Sequence, residues 1–231
     1  MGAPVVGGLL AASMAPAHAV NAASLALAAS RPLTPTFYQW IIDLHPSVPQ
    51  VNDEFKATAP LNFQIAPVQG FGIDRFVAEA RDRNSTWDLY VGMTPFAEMS
   101  SLIAADVIEP WDNYIPQDVL NDLIPSVRNE CTVDGHLYSW PFLLDIIRVD
   151  NEAAFWTTGA CLFKYGQNKN QAAAYMTSLT YSPGIWKDSI SGTPTAHPGQ
   201  LPPYESIYAG WSSARPPWMQ DWVPLVFSQL N

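Results

Sequence analysis

From Phe37 to Ala105 the chain alternates between short apolar segments with strand character and longer amphipathic segments with helix character. The predicted strands are 37–44, 61–67 and 87–92, and the predicted helices are 46–58, 73–84 and 96–105. Strands that alternate with helices pair in parallel through right-handed crossovers, which places helices on both faces of the sheet. The pattern therefore predicts an α/β fold with a mainly parallel sheet flanked by helices.

The inward faces of two helices can be named. The expected core positions are Val48, Val51 and Phe55 on the first helix, and Phe76, Val77 and Ala80 on the second. Trp40 lies inside the first predicted strand and is expected in the core. Trp87 and Trp111 flank predicted elements and are interpreted as packing residues.

The composition narrows the classes of partner. Apolar residues make up 48% of the chain and charged residues 14%, which is typical of a folded domain. A net charge of −10 argues against nucleic acid and anionic membrane surfaces as partners. Many of the 21 prolines follow residue 182, where they predict irregular, extended chain.

Residues 2–30 carry no charged side chain apart from His18. The apolar run Val5–Met14, with a small-residue site at Ala17–Ala19, resembles a secretory signal, although no Lys or Arg precedes it. Export with cleavage is the favoured interpretation. The alternative is a retained membrane anchor, because the segment is long enough to span a bilayer.

Motifs that carry chemistry are scarce. The four histidines have no metal-site spacing, and no nucleophile elbow, P-loop or dinucleotide fingerprint occurs. The sequence therefore predicts no catalytic residues, no metal and no cofactor. Cys131 and Cys161 could form one disulfide in an exported protein, or remain as two half-buried thiols.

Three landmarks follow one another between residues 86 and 145. They are Asp88, Leu89, Val91 and Gly92; then Ala105, Val107, Ile108, Glu109 and Pro110; then Asp134, Gly135, Leu137, Tyr138, Pro141 and Phe142. In this order they resemble the first lobe of extracellular solute-binding proteins, the family 1 proteins that deliver sugars to ABC importers. The resemblance implies a periplasmic-binding-protein-like lobe.

The same resemblance continues further along the chain, but most of the family's second lobe has no counterpart in this sequence. Asn151–Phe155 resembles the opening of the family's second lobe, whereas 162–179 resembles a segment that lies much later in the family. The stretches 192–195 and 215–217 resemble landmarks near the family's end. The resemblance therefore implies a second lobe that is truncated at about Trp156.

This comparison predicts four regions. They are a signal-like segment at 1–30, a first α/β lobe at 31–145, a hinge and junction at 146–158, and a returning helix with a tail rich in Pro and Trp at 159–231.

Candidate ligand contacts follow from the expected strand ends. In open α/β sheets, ligands bind beyond the carboxyl ends of parallel strands. His45, Phe71, Thr94 and Phe96 lie in or beside the three loops there, and the resemblance adds Trp140, Phe142 and Asp145 as the floor of a sugar cleft. Aromatic rings suit the C–H face of a sugar, and a carboxylate can accept hydroxyl hydrogen bonds. Trp140 and Asp145 fit a hinge role equally well.

The resemblance implies an exported, non-catalytic binding component of an ABC transporter. Its expected partners are a sugar or related small solute and the permease subunits in the membrane. The alternative is a degenerate lobe that serves as a structural or interaction subunit of the cell envelope, through self-association or other envelope proteins. A third hypothesis is a gene with an internal deletion and no function of its own.

Overall fold

The computed structural model describes residues 31–66, 73–93, 95–149, 152–191 and 200–210. The signal-like segment 1–30 and most of the proline-rich tail lie outside these residues.

One mixed sheet organises the described chain. Its strands are β1 (Pro35–Phe37), β2 (Gln64–Ile65), β3 (Leu89–Met93), β4 (Ile108–Glu109), β7 (Trp140–Val149), β8 (Glu152–Phe163) and β9 (Gln200–Leu201). The order is β2-β1-β3-β8-β7-β9, with β4 also paired to β8. The pairs β1–β2 and β1–β3 are parallel, and the other pairs are antiparallel. The predicted α/β class is confirmed, and the mainly parallel pairing holds for the first three strands only.

A small hairpin, β5 (Thr132–Val133) with β6 (His136–Leu137), stands apart from the main sheet. Its two-residue turn has positive φ at Asp134 (51°) and at Gly135 (82°). Such a turn matches the right-handed twist of the strands, which explains the Asp-Gly pair at this place in the sequence.

Helices pack on both faces of the sheet. They are α1 (Gln39–Leu44), α2 (Val48–Lys56), α3 (Asp74–Arg81), α4 (Ser100–Ala104), α5 (Gln117–Asp122), α6 (Pro125–Glu130), α7 (Lys169–Thr180), α8 (Pro183–Ser191) and α9 (Glu205–Gly210). A π-helical turn, Pro95–Met99, precedes α4.

The predicted strand at 37–44 is wrong. β1 ends at Phe37, and α1 occupies most of that segment. A short apolar run does not by itself distinguish strand from helix. Strand geometry would place Trp40 on the same face as Ile42 and Leu44. The helix instead buries Ile41 and leaves the Trp40 side chain 38% exposed, so the expectation that Trp40 is a core residue is also wrong.

The other early elements lie close to their predicted positions. Val48, Val51 and Phe55 are buried on α2, and Phe76 and Ala80 are buried on α3, whereas Val77 is half-buried. Trp87 and Trp111 are almost fully buried, as expected of packing residues.

The sheet separates two hydrophobic cores. Alternation along β3 sends Leu89 and Val91 into the larger core and Tyr90 into the smaller one. In the same way, β8 sends Leu162 to the first core and Cys161 to the second. Cys131 belongs to the larger core, so the two cysteines belong to different cores, and both are free and fully buried.

The strands β7 and β8 form one long hairpin. Their pairing continues from Trp140 opposite Ala160 to Val149 opposite Glu152, with one register shift after Pro141. The predicted hinge and junction, 146–158, therefore includes parts of both strands.

A buried carboxylate joins distant parts of the chain. Asp88, which is 1% exposed, accepts hydrogen bonds from the backbone N–H groups of Thr34 (2.8 Å), Gln167 (2.8 Å) and Asn168 (3.0 Å). The Asn168 side-chain amide donates to it at 2.9 Å, and the Arg31 guanidinium pairs with it at 3.0 Å. These contacts attach the loop before α7 to the beginning of the first β-α-β unit.

We expect Asp88→Ala to lower the free energy of unfolding by about 3–5 kcal/mol, because it leaves several buried donors without an acceptor. Urea unfolding of the full chain measures the loss. Asp82→Ala removes an exposed carboxylate just after α3 and should change stability by no more than about 0.5 kcal/mol. Similar losses in both variants would contradict the role assigned to Asp88.

Candidate functional site

The carboxyl ends of β1, β2 and β3 lie at one edge of the sheet. Phe37 pairs in parallel with Ile65 on one side and with Val91 on the other. The chain leaves β1 through Tyr38 into α1, and leaves β3 towards the π-helical turn. This is the edge at which open parallel sheets bind ligands. We refer to it below as the carboxyl edge.

A buried carboxylate lies beneath this edge. Glu98, on the π-helical turn, is 2% exposed and accepts hydrogen bonds from the hydroxyls of Tyr38 and Tyr90, both at 3.2 Å. Burial raises the pKa of Tyr38 to about 12. The hydrogen bond with Tyr90 partly opposes this rise, and the negative charge of Glu98 adds to it. Burial also raises the pKa of Tyr90 far above its usual value. Both hydroxyls therefore remain donors at neutral pH, and π-helical turns of this kind are frequent at functional sites.

Gly92 allows the Tyr38 ring to approach the end of β3. Its φ of +132° is unfavourable for residues with a side chain, and a Cβ here would lie 2.2 Å from the Tyr38 ring. The glycine of the Asp-Leu-Tyr-Val-Gly landmark is thus required by the packing of Tyr38 on β3.

Two large apolar side chains remain exposed at the carboxyl edge. Trp40 is 38% exposed on the first turn of α1, and Ile65 is 42% exposed at the end of β2. The helix that carries Trp40 also carries two exposed polar side chains, Gln39 and Asp43. The Gln39 amide donates to the Asp43 carboxylate at 2.9 Å. The sequence pattern did not indicate Trp40 as a candidate, because the apolar run 37–44 was interpreted as a buried strand.

Three of the sequence-derived site residues lie in the core. His45, Trp140 and Phe142 are each 0% exposed. The Trp140 indole N–H donates to the Thr180 hydroxyl at 3.1 Å, and its ring packs edge-on against Trp111. Because β1 ends at Phe37, His45 ends helix α1 rather than following a strand.

His45, which is buried, and Asp145, which is half-buried, are joined by a chain of hydrogen bonds. The His45 Nε2 atom lies 2.7 Å from Gln200 Oε1, and Gln200 Nε2 donates to Asp145 Oδ1 at 2.7 Å. The Thr158 hydroxyl donates to Asp145 Oδ2, also at 2.7 Å. Since the amide NH₂ of Gln200 faces a carboxylate, its oxygen faces His45, and His45 must donate from Nε2. The chain connects α1, β9, β7 and β8.

The other residues predicted to contact a ligand lie outside the described part of the chain. Phe71 and Thr94 are not among the described residues, and neither is the side chain of Phe96, although its backbone lies in the π-helical turn. The structure thus brings His45, Phe142 and Asp145 into one neighbourhood, with the His45 and Phe142 rings 6.1 Å apart.

Among the described residues, no group of three or more His, Cys, Asp or Glu is arranged to hold a metal ion. Burial raises the pKa of both the Cys131 and Cys161 thiols, which disfavours the nucleophilic thiolate. In the same part of the chain, no helix has the length and apolar character needed to cross a membrane.

No protein-family model and no curated protein matches this sequence. Solved structures match it in fold. A cyclo/maltodextrin-binding protein complexed with maltotetraose gives a TM-score of 0.57 at 8% identity, covering 79% of this chain and 82% of that one. A maltodextrin-binding protein from L. casei gives 0.54 at 9% identity, covering 81% and 82%. Thiaminase I from Bacillus thiaminolyticus gives 0.54 at 8% identity, covering 87% and 91%.

Other matches are partial. The chain spans 30% of the Thermus thermophilus maltotriose-binding protein and 29% of a mannotriose-bound protein, with 20% identity to each and TM-scores of 0.41 and 0.42. The three more extensive matches establish an α/β fold of the periplasmic-binding-protein type. At these identities they establish the fold alone, and that fold serves binding proteins and an enzyme alike.

His45 should make stability sensitive to acid. Burial lowers the pKa of His45, while the Gln200 bond and the Asp188 and Asp145 charges partly oppose this. The fold therefore favours the neutral ring. Its contribution to the free energy of unfolding is complete above the usual histidine pKa of about 6.5, and it is lost as the pH falls through the lowered pKa of the folded state. We expect His45→Gln to cost about 1–3 kcal/mol at pH 7 and to weaken the loss of stability between about pH 7 and 5.

Thermal unfolding across that pH range provides the measurement. His136→Gln, which removes an exposed histidine, is the matched control and should retain the acid sensitivity of the unmodified chain. An equally acid-sensitive His45→Gln variant would count against the assignment.

Proposed function

We propose that this chain is an extracytoplasmic solute-binding component of an ABC importer and that its ligand is a carbohydrate. Two observations support the proposal. The fold is shared with two maltodextrin-binding proteins over most of their length. The chain also exposes a tryptophan at the edge where such a fold binds ligands, and this second observation carries the proposal.

Trp40 and its neighbours have the chemistry that a sugar requires. An indole ring offers a flat apolar face to the C–H groups of a pyranose, and nearby polar side chains serve its hydroxyls. Gln39 and Asp43 provide such groups on α1, and Ile65 adds apolar surface on β2. Phe71, Thr94 and the side chain of Phe96 lie outside the described residues and remain proposed contacts. His45, Trp140 and Phe142 are less suited to direct contact because they are fully buried.

The proposed mechanism involves no covalent chemistry. Ligand at the carboxyl edge would favour a closed arrangement, and the membrane permease would recognise that arrangement. Asp145 lies on β7 and is held by Gln200 and Thr158, so we assign it a hinge role rather than direct ligand contact. The proposed hinge region is 146–158, and export of the chain is part of the same proposal.

A second candidate function is an interaction subunit of the cell envelope. The observation that favours it is that the truncation expected at about Trp156 falls inside β8, which pairs there with β7, so no second lobe is inserted at this point. One lobe alone provides one wall of a cleft, and a sugar bound to a single wall stays half-solvated. Such a surface would give low affinity for a small solute and could instead serve a protein partner.

We expect saturable binding of maltotriose, maltotetraose or mannotriose by the full chain, measured by isothermal titration calorimetry with the mass in solution recorded alongside. Trp40→Ala should weaken the affinity about tenfold or more, because it removes the stacking face. Saturable binding by a monomer would support the solute-binding function. An oligomer without sugar binding would support the interaction subunit.

Tyr165→Ala is the matched control for Trp40→Ala. Tyr165 is a partly exposed aromatic that follows β8, and the antiparallel pairing of Leu162 with Leu89 places it at the opposite edge of the sheet. Its removal should leave sugar affinity unchanged. An equal loss in both variants would mean that Trp40 is not the contact.

A further inference from the structure

A concave surface lies between two helices and the small β-hairpin, and it shares no lining residue with the carboxyl edge. An open cavity of about 390 Å³ is lined by helices α5 and α6, the β5–β6 hairpin and Asp112. Leu123 and Leu137 contribute buried apolar surface, and Gly135 lines the cavity where no other group approaches. The volume falls in the usual range for small-molecule sites. We call it the hairpin cavity.

The wall of the hairpin cavity carries one cation and one anion. Arg128 comes from α6, and it takes part in none of the ion pairs found among the described residues. Asp112 lies on the wall as well, and its Oδ2 accepts the Leu137 backbone N–H at 3.0 Å. The same oxygen lies 3.7 Å from His136 Nδ1. These contacts hold Oδ2 and leave Oδ1 available to a ligand.

Amide side chains add hydrogen-bonding capacity. Asn121 lines the cavity, and its Oδ1 already accepts from the Gln117 amide at 2.8 Å. Its NH₂ group therefore remains as a donor. Asn129 lies on the wall next to Arg128.

We propose that the hairpin cavity binds a small zwitterion of the amino-acid type. Arg128 receives the carboxylate through its planar fork of N–H donors, and Asp112 receives the ammonium group. The Asn121 amide supplies a further donor to the carboxylate. This site is independent of the carbohydrate function proposed for the carboxyl edge.

The charges disfavour other small ligands. Arg128 and Asp112 are both exposed, and a neutral sugar would pair with neither charge. A phosphate or simple carboxylate would satisfy Arg128 but meet repulsion from Asp112. A simple amine would reverse the problem. One molecule with both charges satisfies both residues.

Ligand-detected NMR on the full chain tests the proposal, with a panel of L-amino acids as probes. Acetate and ethylamine represent the two halves of a zwitterion, and maltotriose is the neutral probe. We expect saturable binding of at least one amino acid at concentrations where acetate and ethylamine do not saturate. Saturation by acetate at equal affinity, or no saturable amino acid up to about 10 mM, would overturn the proposal.

Three variants locate the binding. Arg128→Gln and Asp112→Asn should each weaken amino-acid affinity about tenfold or more. The Asn side chain can still accept the Leu137 N–H, so the second variant keeps the local fold. Lys187→Gln removes an exposed cation that does not line the cavity and should leave affinity unchanged. Binding that survives both cavity substitutions, in variants with an unchanged unfolding temperature, would also overturn the assignment. Sugar titrations of the same variants should match the unmodified chain.

Discussion

The Asp88 carboxylate is the interaction on which the rest of the described structure depends. Both of its oxygens accept hydrogen bonds, and the donors come from the residues before β1 and from the loop before α7. It thereby positions α7, which is buried on almost all sides and could not remain folded in water alone. The Tyr175 hydroxyl on this helix donates to Asn52 on α2 at 2.5 Å, which fixes the helix against the first β-α-β unit.

The position of the sheet between two cores decides which aromatic side chains are available to a ligand. Trp140 and Phe142 belong to the larger core and contribute to stability through burial. Trp40 lies on the first turn of a short helix that begins where β1 ends, and its side chain remains 38% exposed there. An aromatic side chain can pack in a core or stack on a sugar, and its place relative to the strand ends determines which role is open to it.

Much of the early architecture could be predicted because its signals are local. Val48, Val51 and Phe55 recur at helical spacing, and the Asp134-Gly135 pair has the backbone preferences of a tight hairpin turn. The segment 37–44 was predicted wrongly as a strand, because its apolar run is compatible with either a strand or a helix. That error also moved the expected strand end from Phe37 to Leu44, so His45 was taken for a loop residue and Trp40 for a core residue.

By itself, then, the sequence determined the α/β class and the order of the first elements, because both follow from local periodicity. The need for glycine at position 92 came from tertiary structure, because the Tyr38 ring packs against the end of β3. Tertiary structure alone decided that β8 returns antiparallel beside β3, that His45 joins Asp145 through Gln200, and that Arg128 and Asp112 line one cavity. These contacts join residues far apart in the chain. Their free energy depends on which surfaces the fold brings together, and no pattern of neighbouring residues records that.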